Sequence, residues 1–564
     1  MLSNAELAVS SITSSAAENA GLNAEWIAEM GRGAPPERER RVYANSYVDL
    51  GKVSSVGFDY DYTLVQYSSS LQALIYDMAA RVLVEKRSYP AQLLALKYDP
   101  AFPIRGLAVD RETGWVCQLS YTHKVSLAYR GRRKVDRRTL SETLEGRNAL
   151  TPSERAARLR PLNDLFSMSE CALIADVVGH FTERGFPFHP ASVVDDVANS
   201  IGDVHRSLDF HRTVARSPGT YFKPTPAMAP VLEGLRSSGK SLFLISNSPF
   251  WFVDAGMAHN FGPGWRNLFD VVIASAGKPN FYKEKRRPFR EVLLGGGGGG
   301  AGGAAGGDLS KENISYEAVT SLSSAKVYTE GCLTELIRLV PSLAPSLATT
   351  PKNELAAETS DGPTGRNSNV LYVGDSLFAD LVDAKREFGW YTAGVLSELR
   401  DEVSNLLEPE YQATKQTIEI LLTCLRLSQE FMEADRSEED SRVLDELETM
   451  VSKARDRMNS YLGNEKFGSI FEARHQPSLF SASLRRYCDL YMGSVEALLS
   501  YSPKHRFYPE FVGTLPHQLG GAHDKKEAER LVLFGMDGEE GIGIDDDDFF
   551  GEVELQTEEQ LEAE

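Results

Sequence analysis

The sequence predicts an α/β protein built on a doubly wound parallel sheet. Two observations carry this. Ser241–Ile245, Asp270–Ala274 and Val370–Val373 each contain a short unbroken apolar run, the pattern of strands buried on both faces. Helical periodicity separates them, and strand alternating with helix is the signature of a parallel sheet. A third observation places the chemistry, because each run ends in polar residues, and ligands of such sheets bind at the carboxyl edge of the strands.

The first clear strand is Val53–Phe58, running into Asp59-Tyr60-Asp61-Tyr62-Thr63. Leu71, Leu74, Ile75, Met78, Ala79 and Val82 then recur at helical spacing. Residues from about 90 to 225 mix helices and short strands. A helix over Ala227–Arg236 leads into Ser241–Ile245, which stops at Ser246-Asn247-Ser248. Asp270–Ala274 is followed by Lys278-Pro279, and Val370–Val373 by Gly374-Asp375. A helix over Leu377–Phe388 and a strand over Tyr391–Leu396 complete the set. Farther on, Val403, Leu406, Leu407, Ile418, Leu421, Leu422 and Leu425 mark a helical hairpin. It packs on the sheet or on a second subunit, so a homo-oligomer stays open.

The expected organisation is a flexible lead-in over 1–45, a catalytic core over 46–68 and 225–400, and an inserted unit over 69–224. A helical segment over 401–515 and an acidic tail over 516–564 follow. Low-complexity insertions interrupt the core near 295–312 and 342–369. The first holds G-x-G-x-x-G matches, but neither strand-to-helix context nor a following Lys-Ser/Thr, so it is read as linker.

Charge narrows the partners. The 564 residues carry a net charge of -20. Thirteen acidic and no basic residues lie between Met536 and Glu564, so the rest holds only about a third of that charge. An acidic body disfavours nucleic acid and anionic membrane, and no stretch approaches 18 uninterrupted apolar residues. The five scattered cysteines form no C-x-x-C pair, as in a reduced intracellular protein. No basic residue precedes Arg32, which argues against a secretory or transit leader and for the cytoplasm.

An apolar strand ending in two carboxylates needs a reason, since like charges are costly to bury without a cation. Metal-assisted phosphoryl transfer supplies one. Mg²⁺ takes one or two carboxylates, waters and a phosphate oxygen. One carboxylate serves as nucleophile, and a second moves the proton. Ser246 and Lys278 bring the hydroxyl and cationic donors that the phosphoryl oxygens require. Each residue alone has a plainer reading as an Asx turn, a helix cap or a surface lysine. The ordered set, each member after its own apolar strand, does not.

The order Asp59-x-Asp61-x-Thr63, Ser246, Lys278-Pro279, Gly374-Asp375-x-x-x-x-Asp380 resembles the haloacid dehalogenase (HAD) superfamily. Gly57–Leu64, Ile104-Arg105-Gly106-Leu107, Ser246–Phe250, Phe467–Phe471 and Asp489–Met492 narrow the resemblance to the cytosolic purine 5′-nucleotidase family, nearest its 5′-nucleotidase domain-containing proteins. The resemblance runs from about Val42 to Phe511. It implies a Mg²⁺-dependent phosphomonoesterase acting on a nucleoside 5′-monophosphate through an aspartyl-phosphate. It assigns Asp59 as nucleophile and Asp61 as acid/base. Mg²⁺ would sit on Asp59, the main-chain carbonyl of Asp61, and Asp375. Ser246, Asn247, Ser248 and Lys278 would hold the phosphate, with Asp380 behind them and residues 69–224 as a mixed α/β cap. His205 would face the base. The Arg and Asp that precede it in the purine enzymes fall here on Ala198 and Gly202, and the Lys that follows falls near His211. A HAD phosphatase for another small phosphomonoester, and a scaffold retaining the core, are the competing readings.

Overall fold

The computed structural model describes residues 36–144, 146, 150–293, 313–324, 326–344, 368–431, 437–474 and 476–509. The 516–564 tail, most of the 1–45 lead-in, the insertion near 295–312 and most of 342–369 lie outside the described residues. The described residues all belong to one compact unit that extends to Pro509.

The central sheet has ten strands: β1 (Val42–Ala44), β2 (Ser55–Phe58), β3 (Ser241–Ile245), β4 (Val271–Ala274), β5 (Phe289–Val292), β6 (Ile314–Ser315), β7 (Val327–Glu330), β8 (Val370–Gly374), β9 (Tyr391–Val395) and β10 (Leu490–Met492). Their order is β1-β10-β9-β8-β2-β3-β4-β7-β5-β6. The seven from β10 to β7 in that order run parallel, and the edges are antiparallel. This is the expected α/β class with a mostly parallel sheet.

The apolar runs are explained by burial on both faces. Side chains alternate across a strand, and here successive residues enter two separate cores. Val56, Phe58, Leu242, Leu244, Val272, Leu371 and Val373 pack on one side with helices Ser69–Arg87, Met228–Ser237 and Phe250–Phe261. Phe243, Ile245, Val271, Ile273, Val370 and Tyr372 pack on the other with helices Leu333–Leu339, Val382–Phe388 and Leu479–Tyr487.

The chain leaves β2 and returns as β3 beside it, after a long insertion. The insertion has its own five-stranded antiparallel sheet, from Leu107–Asp110 to Leu159–Leu162, and helices including Ser167–Glu183 and Pro190–Ser207. β8 then pairs on the opposite side of β2, so the winding reverses between β2 and β8. The hairpin forms as Pro409–Phe431 and Glu438–Tyr461, with Ile418 and Leu421 against Val451, Ala454 and Met458.

Two features depart from the local pattern. β10 lies within the 401–515 stretch expected to be helical, and β1 within the lead-in. They pair with each other at the sheet edge, Val42 opposite Met492. The Leu377–Phe388 helix opens as a π-turn over Leu377–Leu381 before becoming regular at Val382. π-turns of this kind recur at functional sites.

Candidate active site at the winding reversal

β2 ends at Phe58, and the Asp59 main-chain N–H still bonds to the Val373 carbonyl at 2.9 Å. That bond fixes the first carboxylate against the end of β8. Gly374 and Asp375 follow β8, and a Cβ at Gly374 would lie 2.7 Å from the Asp380 carboxylate. The glycine is therefore what lets Asp380 fold back from the π-turn. Its position is held by the Ser376 N–H, which bonds to Asp380 Oδ2 at 3.2 Å.

Asp59, Asp375 and Asp380 converge, each offering an oxygen within 4.8 Å of the others'. Lys278, from the loop after β4, reaches in with Nζ 2.6 Å from Asp59 Oδ1 and 2.6 Å from Asp380 Oδ1. Its third partner is the Ile245 carbonyl at the end of β3, at 2.9 Å. All four side chains are buried.

Asp61 has separate partners. Tyr67 Oη donates to its Oδ1 at 2.5 Å and Ser248 Oγ to its Oδ2 at 2.8 Å. Ser246 shapes the turn, its Oγ accepting from the Ser248 N–H at 3.0 Å. The Asn247 carboxamide clamps the loop behind it, accepting from the Lys278 N–H at 2.6 Å and donating to the Lys278 carbonyl at 3.0 Å.

His205 stands apart from these contacts. Its Nδ1 lies 2.9 Å from the Ile201 carbonyl, and its ring lies 5.8 Å from Phe166 and 4.8 Å from Phe210. The nearest link to the acidic centre is aromatic, since Phe166 lies 5.2 Å from Tyr62, the residue after Asp61. Burial lowers the pKa of His205, and it holds that of His211 down near about 3.

Reasoning from single residues missed two partners of the site. Arg105 forks onto Glu398 at 2.7 and 2.6 Å and donates to the Asp375 carbonyl at 2.9 Å. No local signal marked its role: the side chain is fully buried, and the carboxylate and carbonyl that satisfy it lie 293 and 270 residues away. Tyr67 was the other, one residue of a two-residue strand pair with Phe222.

Electrostatically the centre is overloaded with negative charge. Among the described residues, Asp59, Asp61, Asp375, Asp380 and Glu398 share only Lys278 and Arg105 as close cations. Burial, then repulsion from Asp380, pushes the Asp59 carboxyl up to about 8 despite Lys278. Burial likewise raises Asp61, and burial with Asp380 and Asp59 raises Asp375 against the pull of Arg105. Burial works against the Lys278 charge, yet Asp380 and Asp59 outweigh it and hold the ammonium protonated. A divalent cation among the three converging carboxylates would relieve this imbalance, and hard oxygen donors are what such an ion takes. The residues present therefore fit a metal.

Fold and site together describe an α/β enzyme whose polar centre sits where the winding reverses. The chain belongs to the 5′ nucleotidase family, whose model matches residues 42–343 and 361–520. It is 32% identical over 478 residues to "5′-nucleotidase domain-containing protein 2" of Rattus norvegicus, covering 83% of this chain and 78% of that one. The Homo sapiens protein of the same description is 32% identical over 478 residues, with 83% of each chain covered. A 5′-nucleotidase domain-containing protein of Dictyostelium discoideum is 29% identical over 487 residues, covering 85% of this chain and 75% of that one.

Proposed function

We propose that the chain is a Mg²⁺-dependent phosphomonoesterase that hydrolyses a nucleoside 5′-monophosphate through an aspartyl-phosphate on Asp59. The observation that carries this is the buried trio Asp59, Asp375 and Asp380 with Lys278 bridging two of them. The organisation is then a HAD core over 46–68 and 225–400 that carries residues 69–224 as its cap. The cytoplasm is its place of action.

Asp59, Asp375 and the Asp61 carbonyl would hold the metal, which when bound would supply Lewis-acid stabilisation of the charge on the phosphoryl oxygens. With the metal bound, Lys278 would favour the ionised Asp59 and offer its ammonium to an equatorial oxygen. Ser246, the Asn247 main chain and Ser248 complete the phosphate cradle, the Asn247 side chain being occupied by the Lys278 loop. Asp59 attacks phosphorus while Asp61 protonates the departing ribose oxygen. Asp61 then takes a proton from the water that hydrolyses the aspartyl-phosphate. Burial raises its pKa, which favours the protonated form that the first step needs. Asp380 positions Lys278. The base meets the aromatic face around His205.

Ala198 and Gly202 favour a second reading, with the same chemistry on another small phosphomonoester. A panel of nucleoside monophosphates, sugar phosphates and p-nitrophenyl phosphate, with Mg²⁺ or EDTA and released phosphate as readout, separates the readings. Release from nucleotides that EDTA abolishes is expected. Release from sugar phosphates alone would transfer the chemistry to the second reading, and no release from any would leave a scaffold.

A further inference from the structure

We propose that the Arg105–Glu398 pair is a positioning device that holds Asp375 aimed at the cation while keeping Arg105 from capping it. The inference rests on Asp375 as a metal ligand, the reading given above.

Three parts of the chain meet here. Arg105 precedes the first strand of the insertion, Glu398 opens the helix Glu398–Asn405 after β9, and Asp375 follows β8. The Arg105 side chain has no exposed surface. Gly106, at φ 83°, admits it: a Cβ there would lie 2.7 Å from Phe480, whose ring the guanidinium faces at 5.5 Å. Both arms of the fork on the Glu398 side are used, at 2.7 and 2.6 Å. The remaining nitrogen donates to the Asp375 carbonyl at 2.9 Å but stays 3.9 Å from Asp375 Oδ2. That gap is the point. The guanidinium is near enough to favour the charged carboxylate and too far to occupy its lone pairs.

Glu398 sets the gap. A guanidinium–carboxylate contact closes at about 2.8 Å, so a shift of about 1 Å would bring Arg105 onto Asp375. Without the Glu398 carboxylate the two-bond anchor on that side is lost, and Arg105 would compete with the cation for the same oxygen. Partners placed behind a metal ligand in this way are commonly worth ten- to a hundred-fold in metal affinity.

Mn²⁺ binding to the full chain, followed by the electron paramagnetic resonance of free Mn²⁺, tests this without turnover. Asp375→Asn should lose the site. Glu398→Gln and Arg105→Lys should keep it with affinity reduced about ten-fold or more. Raising Mn²⁺ should restore their kcat, which loss of general structure would not allow. Should Glu398→Gln fail to fold, Glu398→Asp keeps the charge, shortens the reach and is expected to weaken Mn²⁺ in the same direction. Wild-type affinity in the Glu398 and Arg105 variants, with Asp375→Asn still losing the ion, would overturn the positioning role alone. Wild-type affinity in Asp375→Asn as well would overturn the metal site on which it rests.

Discussion

Asp59 and Asp61 lie two residues apart and are both buried, yet they are set up for different work. Asp59 pairs with a lysine ammonium that pulls toward its charged form, and Asp61 faces two hydroxyl donors. Asp59→Asn would remove the proposed nucleophile, so turnover should fall by several orders of magnitude on every substrate. Asp61→Asn would keep the proposed nucleophile and lose the proposed proton donor. Its penalty should be severe for a ribose leaving group and mild for p-nitrophenolate, which needs little protonation. Steady-state kinetics on both substrates decides it, and equal losses for Asp61→Asn would remove the acid/base role. At this scale the carboxylates, the serine and the lysine were legible because each follows an apolar strand. Arg105 stood in a noticed string, Ile104–Leu107, but its role was not, since its partners lie 270 and 293 residues away.

The helix Glu398–Asn405 shows how an element divides its charges. Burial opposes the Glu398 charge, but Arg105 more than compensates, so its pKa is lowered. Among the described residues, Glu402, one turn on, has no such cation. Burial, eased partly by the Ser469 hydroxyl at 2.6 Å, pushes it up to about 7. The unfolded value is about 4.3. Between these two pH values the folded chain keeps a proton that the unfolded chain has released, so this group's contribution to stability falls as pH rises and levels off above about 7. Glu402→Gln removes that slope. Melting temperatures from pH 5 to pH 8 should decline less for the variant than for the wild type, and parallel profiles would refute the assignment. The same scale explains what the helical pattern after β8 concealed. Leu377, Leu381 and Val382 are buried at spacings that suit a helix, but Asp380 must turn inward to Lys278, and the π-turn absorbs the mismatch.

For the whole molecule, the sheet is closed by chain that comes late. β10 pairs with β9 and β1, and Asp489 beside it accepts from the Thr392 N–H at 3.0 Å and from Lys385 at 2.8 Å. A chain ending at Leu462 would leave β9 as a bare, mostly buried-type edge, the kind of surface that templates aggregation. It should be recovered insoluble, whereas substitutions on the exposed face of Glu438–Tyr461 should not change soluble yield. A soluble truncated chain with the circular dichroism of the full one would refute this dependence.

The amino-acid order by itself determined the α/β class, the parallel inner strands and the residues at their ends. It could do so because burial on both faces demands unbroken apolar runs, and any charge that follows such a run is exceptional. Tertiary structure alone decided that Asp59, Asp375 and Asp380 meet around one point with Lys278 between two of them. It also brought β1 and β10, three-residue strands with no periodicity of their own, together at one edge. Contacts between residues hundreds of positions apart are set by sheet order and by the reversal between β2 and β8. Local pattern carries no record of either, because a short strand's partners are chosen by the surface left open when the rest of the sheet has formed.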